Sequence, residues 1–238
     1  MRQVIAIHGW SGDSNTWQMW AKHFRESGWL WQSTERGYGN TTPFSPIWRE
    51  SSRQDCYQPR VVIAHSLGLH LVKSEILRKA TDVVLLGCFS RFIPNGMKSR
   101  SLKTALKGMQ KHLGTLTEKN MLNNFLQKAC HPDPINSLIP GPIEKGLSIE
   151  GRKKLQIDLE LLIQTHKLPI DLPKESRVLI IQGTEDSIIV PSTKSSLIED
   201  LRKHLKNAPT HWDIPGTGHL LLVPGLIHRV ENWLDLSL

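Results

Sequence analysis

Cysteine is scarce in this 238-residue sequence. Cys56, Cys88 and Cys130 stand far apart, odd in number and without C-x-x-C spacing. That pattern argues against a disulfide framework or a zinc site and suits a reducing cytosol. Long apolar runs are also missing. No stretch approaches the roughly 20 apolar residues a membrane span needs. Met1-Arg2-Gln3 leads into only four apolar residues, Val4 to Ile7, too few for the core of a secretory signal. The expectation is therefore a cytoplasmic protein that neither crosses nor anchors in a membrane. No two histidines or carboxylates show H-x-x-x-H or H-E-x-x-H spacing, and no G-x-G-x-x-G or phosphate-binding loop occurs. No metal and no organic cofactor is expected. Internal repeats and low-complexity tracts are absent as well.

Acidic residues are thin in one internal third. Between Arg91 and Lys167 stand 13 Lys and Arg against 6 Asp and Glu, while the remainder holds 17 against 16. Nearly all of the formal +8 charge therefore lies in this segment. Clustered charge of one sign steers association with an oppositely charged partner, although scattered lysines also simply solvate helix faces. Nucleic acid fits poorly, because beyond Phe92 the segment offers only Phe125 for stacking on bases.

Apolar residues make up 39% of the chain, enough for one sizeable core. They fall in short runs at Val4–Ile7, Trp29–Trp31, Val61–Ala64, Val83–Leu86, Val178–Ile181 and His211–Ile214, each bounded by Gly, Pro or polar clusters. Such runs read as strands. Helical spacing appears between them at Asn15–Ser27, with Asp13 or Ser14 as N-cap, and at Leu67–Ala80, Ser192–Leu205 and Pro224–Leu236. Strands alternating with helices predict an α/β fold with a mostly parallel sheet of about six strands. Residues 94–166 break the rhythm with helical stretches at Leu102–Leu113, Glu118–Cys130 and Glu150–Gln164 and no strand. They read as a helical lid inserted into a core of residues 1–93 and 167–238.

"VVIAHSLGL" ends a buried strand on Ser66, held between the small residues Ala64 and Gly68. A nucleophile raised on a sharp strand-to-helix turn needs small residues two positions to either side, where larger side chains would strike the neighbouring strand and helix. Such a serine also needs a histidine, itself oriented by a carboxylate. "GTEDSIIVP" supplies Asp186 after one strand, with Glu185 as the alternative acid, and "GTGHLLLV" supplies His219 after the last. All three then sit at carboxyl ends of strands, in the order Ser66, Asp186, His219. Two N–H donors for an oxyanion are expected from Leu67 and from Trp10 in "AIHGWSGDSNTW", with His8 as a structural hydrogen-bonder.

On "HGWSGDSNTW", "AHSLG", "GTEDSIIVP" and "GTGH" the chain resembles the α/β-hydrolase superfamily over essentially its whole length. It opens directly at the strand before the HG turn, so the resemblance implies that the first two strands of larger members are missing. Within the superfamily it is most similar to the esterases that cleave the methyl ester of pimeloyl-[acyl-carrier protein] in biotin synthesis. The carriers are the HGW turn, "LLGCFSRFIPNG", "NNFLQKA" and "DLELLIQTHKLPIDL"; Ala64, Gln127-Lys128 and the lysine-rich lid depart from that group. The resemblance implies Ser66, Asp186 and His219 as catalytic residues and Trp10, Ser66, Leu67, Phe125 and Leu126 as substrate contacts. It also implies an acidic acyl-carrier protein as partner, which a basic lid would suit. Lys98, Arg100, Lys103, Lys107 and Lys111, near i, i+4 spacing, are the docking candidates. A monomer is expected. A generalist carboxylesterase or thioesterase for short acyl groups, and a catalytically silent binding protein of the same fold, stay open as alternatives.

Overall fold

The computed structural model describes residues 1–50, 58–96 and 98–236, with Lys98 by its backbone alone; Cys56 lies outside the described residues. Among the described residues six strands, β1 (Gln3–Ile7), β2 (Leu30–Ser33), β3 (Arg60–His65), β4 (Asp82–Leu86), β5 (Arg177–Gly183) and β6 (Thr210–Ile214), form one sheet in the order β2-β1-β3-β4-β5-β6. Every pairing is parallel. Each strand therefore needs a crossover, and both faces of the sheet must be covered. That is why β1, β3, β4 and β5 are near-continuous runs of Val, Ile, Leu and Ala rather than alternating ones.

Alternate residues of those strands feed two separate cores. Val4, Ala6, Val61, Ile63, Val84 and Ile181 pack with Trp17, Phe24, Leu226, Val230 and Leu234 on one face. Ile5, Ile7, Val62, Ala64, Val83, Leu85 and Ile180 pack with Leu69, Ile76, Leu77, Leu197 and Leu201 on the other. The covering helices of the first face are α1 (Gln18–Glu26) and, at the end of the chain, Leu226–Asp235. A 3₁₀ turn at Ser14–Trp17 precedes α1, and Asp13 caps it by accepting from the N–H of Asn15. Each buried strand residue removes an apolar side chain from water, worth about 1.5–3 kcal/mol.

The continuous helix expected over Leu67–Ala80 is two short ones, α2 (Gly68–Leu71) and α3 (Ser74–Leu77). Val72 and Lys73 between them are extended, with ψ of 136° and 141°. The indole N–H of Trp48 donates to the Ile76 carbonyl at 2.9 Å and fixes α3 where Ile76 and Leu77 reach the second core. A residue 28 positions upstream thus contacts the second short helix, a contact that local spacing does not encode.

Between β4 and β5 the described chain is helical: α4 (Lys98–His112), α5 (Glu118–Cys130), a 3₁₀ turn at Ile135–Ser137, α6 (Pro142–Lys145) and α7 (Ile149–Gln164). The core continues with α8 (Pro191–His204) and α9 (Leu226–Asp235). A third apolar cluster, including Leu106, Leu122, Leu155 and Leu159 from the helical segment and Trp10, Leu67, Phe89 and Ile189 from the core, joins the two. Buried Asp158 of α7 strengthens the joint. It accepts from the Arg36 guanidinium and the Tyr38 hydroxyl, while Lys154 donates to the Arg36 carbonyl. Gly151 is equally placed by contact: a Cβ there would fall 1.7 Å from the Tyr38 carbonyl oxygen. Among the described residues, no helix is long and apolar enough to cross a membrane.

Candidate active site

The strand order reverses between β1 and β3. From β1 the chain runs outward to β2, then returns past β1 to begin β3, β4, β5 and β6. Loops leaving the carboxyl ends of β1 and β3 therefore diverge and leave a crevice, the usual ligand position in an open parallel sheet. Ser66 stands there, one residue past β3, with φ of +54°. An L-residue pays strain in that left-handed region, and Ser66 is held in it by its N–H donating to the Leu86 carbonyl at 2.9 Å.

The neighbours of Ser66 are small because backbone presses on them. A Cβ on Gly68 would lie 2.5 Å from the Ile7 carbonyl oxygen, so α2 packs against the end of β1 only with glycine there. A Cβ on Gly9 would come within 2.9 Å of the Ser66 Cβ, which places the turn after β1 directly against the serine. Ala64 is fully buried between β1 and β4, paired with Ile7 and Leu85, and its single methyl group is accommodated in the second core.

Three residues separated by up to 153 positions meet here. His219 Nε2 lies 3.0 Å from Ser66 Oγ, and His219 Nδ1 lies 2.9 Å from Asp186 Oδ2. The other Asp186 oxygen accepts from the N–H groups of Ile188 and Ile189 at 2.8 and 2.9 Å. Burial by itself would raise the Asp186 carboxyl. The attraction and hydrogen bond of His219 and the two backbone donors outweigh it and hold the group below its ordinary value. An ionised Asp186 accepts a proton bond only, so Nδ1 of His219 carries the hydrogen and the Nε2 lone pair faces the Ser66 hydroxyl. Glu185, the alternative acid, is exposed at the surface of the same loop.

Two further residues belong to this assembly beyond those expected from the sequence. His65 is partly buried; its Nε2–H donates to the His219 carbonyl at 3.1 Å, with the two rings 4.9 Å apart. Burial, reinforced by the nearby His219, pushes the His65 imidazole down to about 3, so it stays neutral. Gly87 follows β4 with φ of +54°, and a Cβ there would sit 3.1 Å from His219 Nδ1. Its lack of a side chain leaves the space the imidazole occupies. Gly87 stands at a strand end in "LLGCFS", which is the signal that would have found it.

The predicted oxyanion donors flank the serine. Among the described residues, neither the N–H of Trp10 nor that of Leu67 has a hydrogen-bond partner. The Trp10 indole donates to the Leu155 carbonyl at 2.8 Å and meets Phe125 edge to face at 5.1 Å. His8 is a buried structural imidazole that donates from Nδ1 to the Gly9 carbonyl and accepts from the Arg36 N–H. Burial lowers its proton affinity against the opposing pull of Gly9.

A cavity of about 430 Å³ rises from Ser66 into the helical segment. Its walls are apolar, among them Phe92, Leu106, Met109, Met121, Phe125 and Leu162, and its exposed lining residues include His112, Asn120, Asn124 and Lys128. Of the expected substrate contacts, Trp10, Ser66 and Phe125 line it. Leu126 is not among the lining residues and packs against the third apolar cluster. The Leu67 side chain is likewise fully buried in that cluster, leaving only its backbone beside Ser66. Arg100, Lys103, Lys107 and Lys111 are exposed on α4, a helix without an acidic residue in its sequence. The side chain of Lys98 lies outside the described residues.

No family model matches the chain, and no curated protein matches it in sequence. Solved structures do. The esterase EaEST from Exiguobacterium antarcticum superposes with a TM-score of 0.64 at 14% identity, covering 100% of this chain and 91% of that one. A bromoperoxidase from Bacillus anthracis gives 0.65 at 17% identity, covering 99% and 90%. A soluble variant of monoglyceride lipase from Saccharomyces cerevisiae gives 0.56 at 16% identity, covering 100% and 88%. At such identities the likeness establishes the fold, which is that of the α/β-hydrolases.

Proposed function

We propose that the chain is a serine carboxylesterase, and that its substrate is the methyl ester of pimeloyl-[acyl-carrier protein], cleaved to the free pimeloyl-carrier and methanol for biotin synthesis. The observation that carries the esterase reading is the Ser66–His219–Asp186 chain of hydrogen bonds at the floor of an apolar cavity. His219 Nε2 takes the Ser66 proton as Oγ attacks the ester carbonyl, and the oxyanion is held by the free N–H groups of Leu67 and Trp10. His219 then protonates the departing alkoxide. Water, activated by the same nitrogen, attacks the acyl-enzyme and releases the acid. Asp186 keeps the imidazole in the tautomer that accepts at Nε2 and stabilises its charged form. Esterases and a lipase among the structures of like fold are in keeping with this chemistry.

The carrier-linked substrate rests on two further features. Apolar cavity walls suit an acyl chain, and the basic face of α4 suits an acidic carrier. In this reading the segment of residues 94–166 is the lid, Arg100, Lys103, Lys107 and Lys111 meet the carrier, and Phe125 and Trp10 flank the acyl channel. The protein acts as a monomer in the cytoplasm. The test compares hydrolysis of the carrier-linked methyl ester with that of a free methyl ester of the same acid. A much faster carrier-linked reaction, reduced by salt toward the free rate, supports the substrate. Equal rates at all salt concentrations refute it and leave a generalist esterase.

A further inference from the structure

On the face of the sheet covered by α1 and α9, far in sequence from Ser66, two histidines and a glutamate converge. His228 and Glu231 lie three residues apart on α9, so they project from one side of that helix. His23 comes from the last turn of α1, more than 200 positions earlier. One ligand atom from each lies within 4.8 Å of the other two. The rings of His23 and His228 are 4.3 Å apart and stand at 79°, so their nitrogens can point at a common centre without the rings stacking.

We propose that His23, His228 and Glu231 form a binding site for a divalent transition-metal ion, zinc by the chemistry of the donors, which fastens α1 to α9. Two imidazoles and one carboxylate are a borderline-soft donor set, suited to zinc and its neighbours rather than to calcium or magnesium. Three protein ligands leave a fourth tetrahedral position for water. The required movement is small. Bonds of about 2.0–2.1 Å put tetrahedral ligands about 3.3 Å apart. His23 Nε2 and Glu231 Oε2 now share a proton at 2.6 Å, and a metal replacing that proton spreads them by less than about 1 Å. The remaining separations close by at most about 1.5 Å, which side-chain rotation supplies.

The site is also prepared around its ligands. The backbone beneath is rigid: Phe24 of α1 and Val230 of α9 are fully buried in the same core. Access is open, because His228 is exposed. The local spacing rules that find metal sites fail here, since only H-x-x-E on α9 is contiguous and the third ligand arrives through the fold.

The experiment uses the intact protein, stripped with chelator, titrated with cobalt(II) as a spectroscopic stand-in and with zinc in a thermal-unfolding assay. The expected result is one equivalent of cobalt(II) with the visible absorption of a tetrahedral nitrogen–oxygen site. Zinc at a hundredfold excess over its dissociation constant should raise Tm by about 5–10 °C. Both responses disappear in His228→Ala, an exposed position whose truncation leaves the core intact, and weaken in Glu231→Gln. Absence of stoichiometric binding, or binding that persists unchanged in His228→Ala, overturns the proposal. Neither result bears on the Ser66 chemistry.

Discussion

The imidazole of His65 donates to the main-chain carbonyl of His219 at 3.1 Å, so the residue before Ser66 holds the loop that carries His219. His65 touches no reacting atom in this arrangement; it is a positioning residue. His65→Ala should remove the anchor and lower kcat by about 10-fold or more with little change in KM, since a misplacement of 1 Å can cost as much as 100-fold. His65→Gln, which keeps a donor at similar reach, should recover much of the loss. Equal damage from both substitutions would show that only packing matters.

The same histidine contributes to acid sensitivity, and the sign follows from its lowered proton affinity. Folded His65 titrates at about 3 and His70 at about 4, both through burial first, against 6.5 for an ordinary imidazole. Between those limits the unfolded chain binds more protons than the folded one, so stability falls as pH drops below 6.5. The slope for each such histidine approaches about 1.4 kcal/mol per pH unit. The lowered Asp186 carboxyl adds a loss at still lower pH, as it too becomes protonated. Chemical denaturation from pH 7 to 4 should show this slope, and His65→Gln should flatten it.

Gly87 lies close against the His219 imidazole. Gly87→Ala places a methyl group 3.1 Å from His219 Nδ1 at a backbone φ of +54°. The left-handed conformation alone costs about 1–2 kcal/mol, and the contact displaces the imidazole from Ser66. Activity should therefore fall much further than Tm. Steady-state kinetics beside thermal unfolding tests this directly.

The salt link between helical segment and core should be worth more than a surface pair. Asp158→Asn leaves the Arg36 guanidinium and Tyr38 hydroxyl with a weakened acceptor. The expected loss is about 2–3 kcal/mol, below the range for fully buried pairs because 33% of the Arg36 side chain reaches solvent. Equilibrium unfolding in urea reads it.

Charge reversal on α4 tests the proposed carrier docking apart from chemistry. Lys103→Glu, Lys107→Glu and Lys111→Glu together should raise KM for the carrier-linked ester about tenfold and flatten its salt dependence, with kcat little changed. Hydrolysis of a free ester should move far less. Equal effects on both substrates would mean that α4 acts on the cavity rather than on the partner.

The strands, and the convergence of Ser66, Asp186 and His219 at their ends, were legible because burial between two helical layers forces near-continuous apolar runs. The loops after those runs then carry Gly68, Asp186 and His219 at fixed places. The broken helix after Ser66 was hidden, since the apolar spacing runs on through Val72-Lys73, where the backbone is extended. His65 and Gly87 become meaningful only through the registers of β3 with β4 and of β4 with β5, which bring both beside the His219 loop. For Leu126, matching a family pattern along α5 does not fix which side of the helix faces the cavity, and its side chain packs against the third apolar cluster.

A fluorophosphonate probe, followed by mapping of the modified peptide, tests the shared premise most directly: that the residue 66 hydroxyl is made nucleophilic by the imidazole it faces. The account predicts one label per native molecule, on Ser66, slowed by orders of magnitude in His219→Ala and abolished in Ser66→Ala. A folded native protein that stays unmodified, or a label that survives the loss of Ser66, would contradict it.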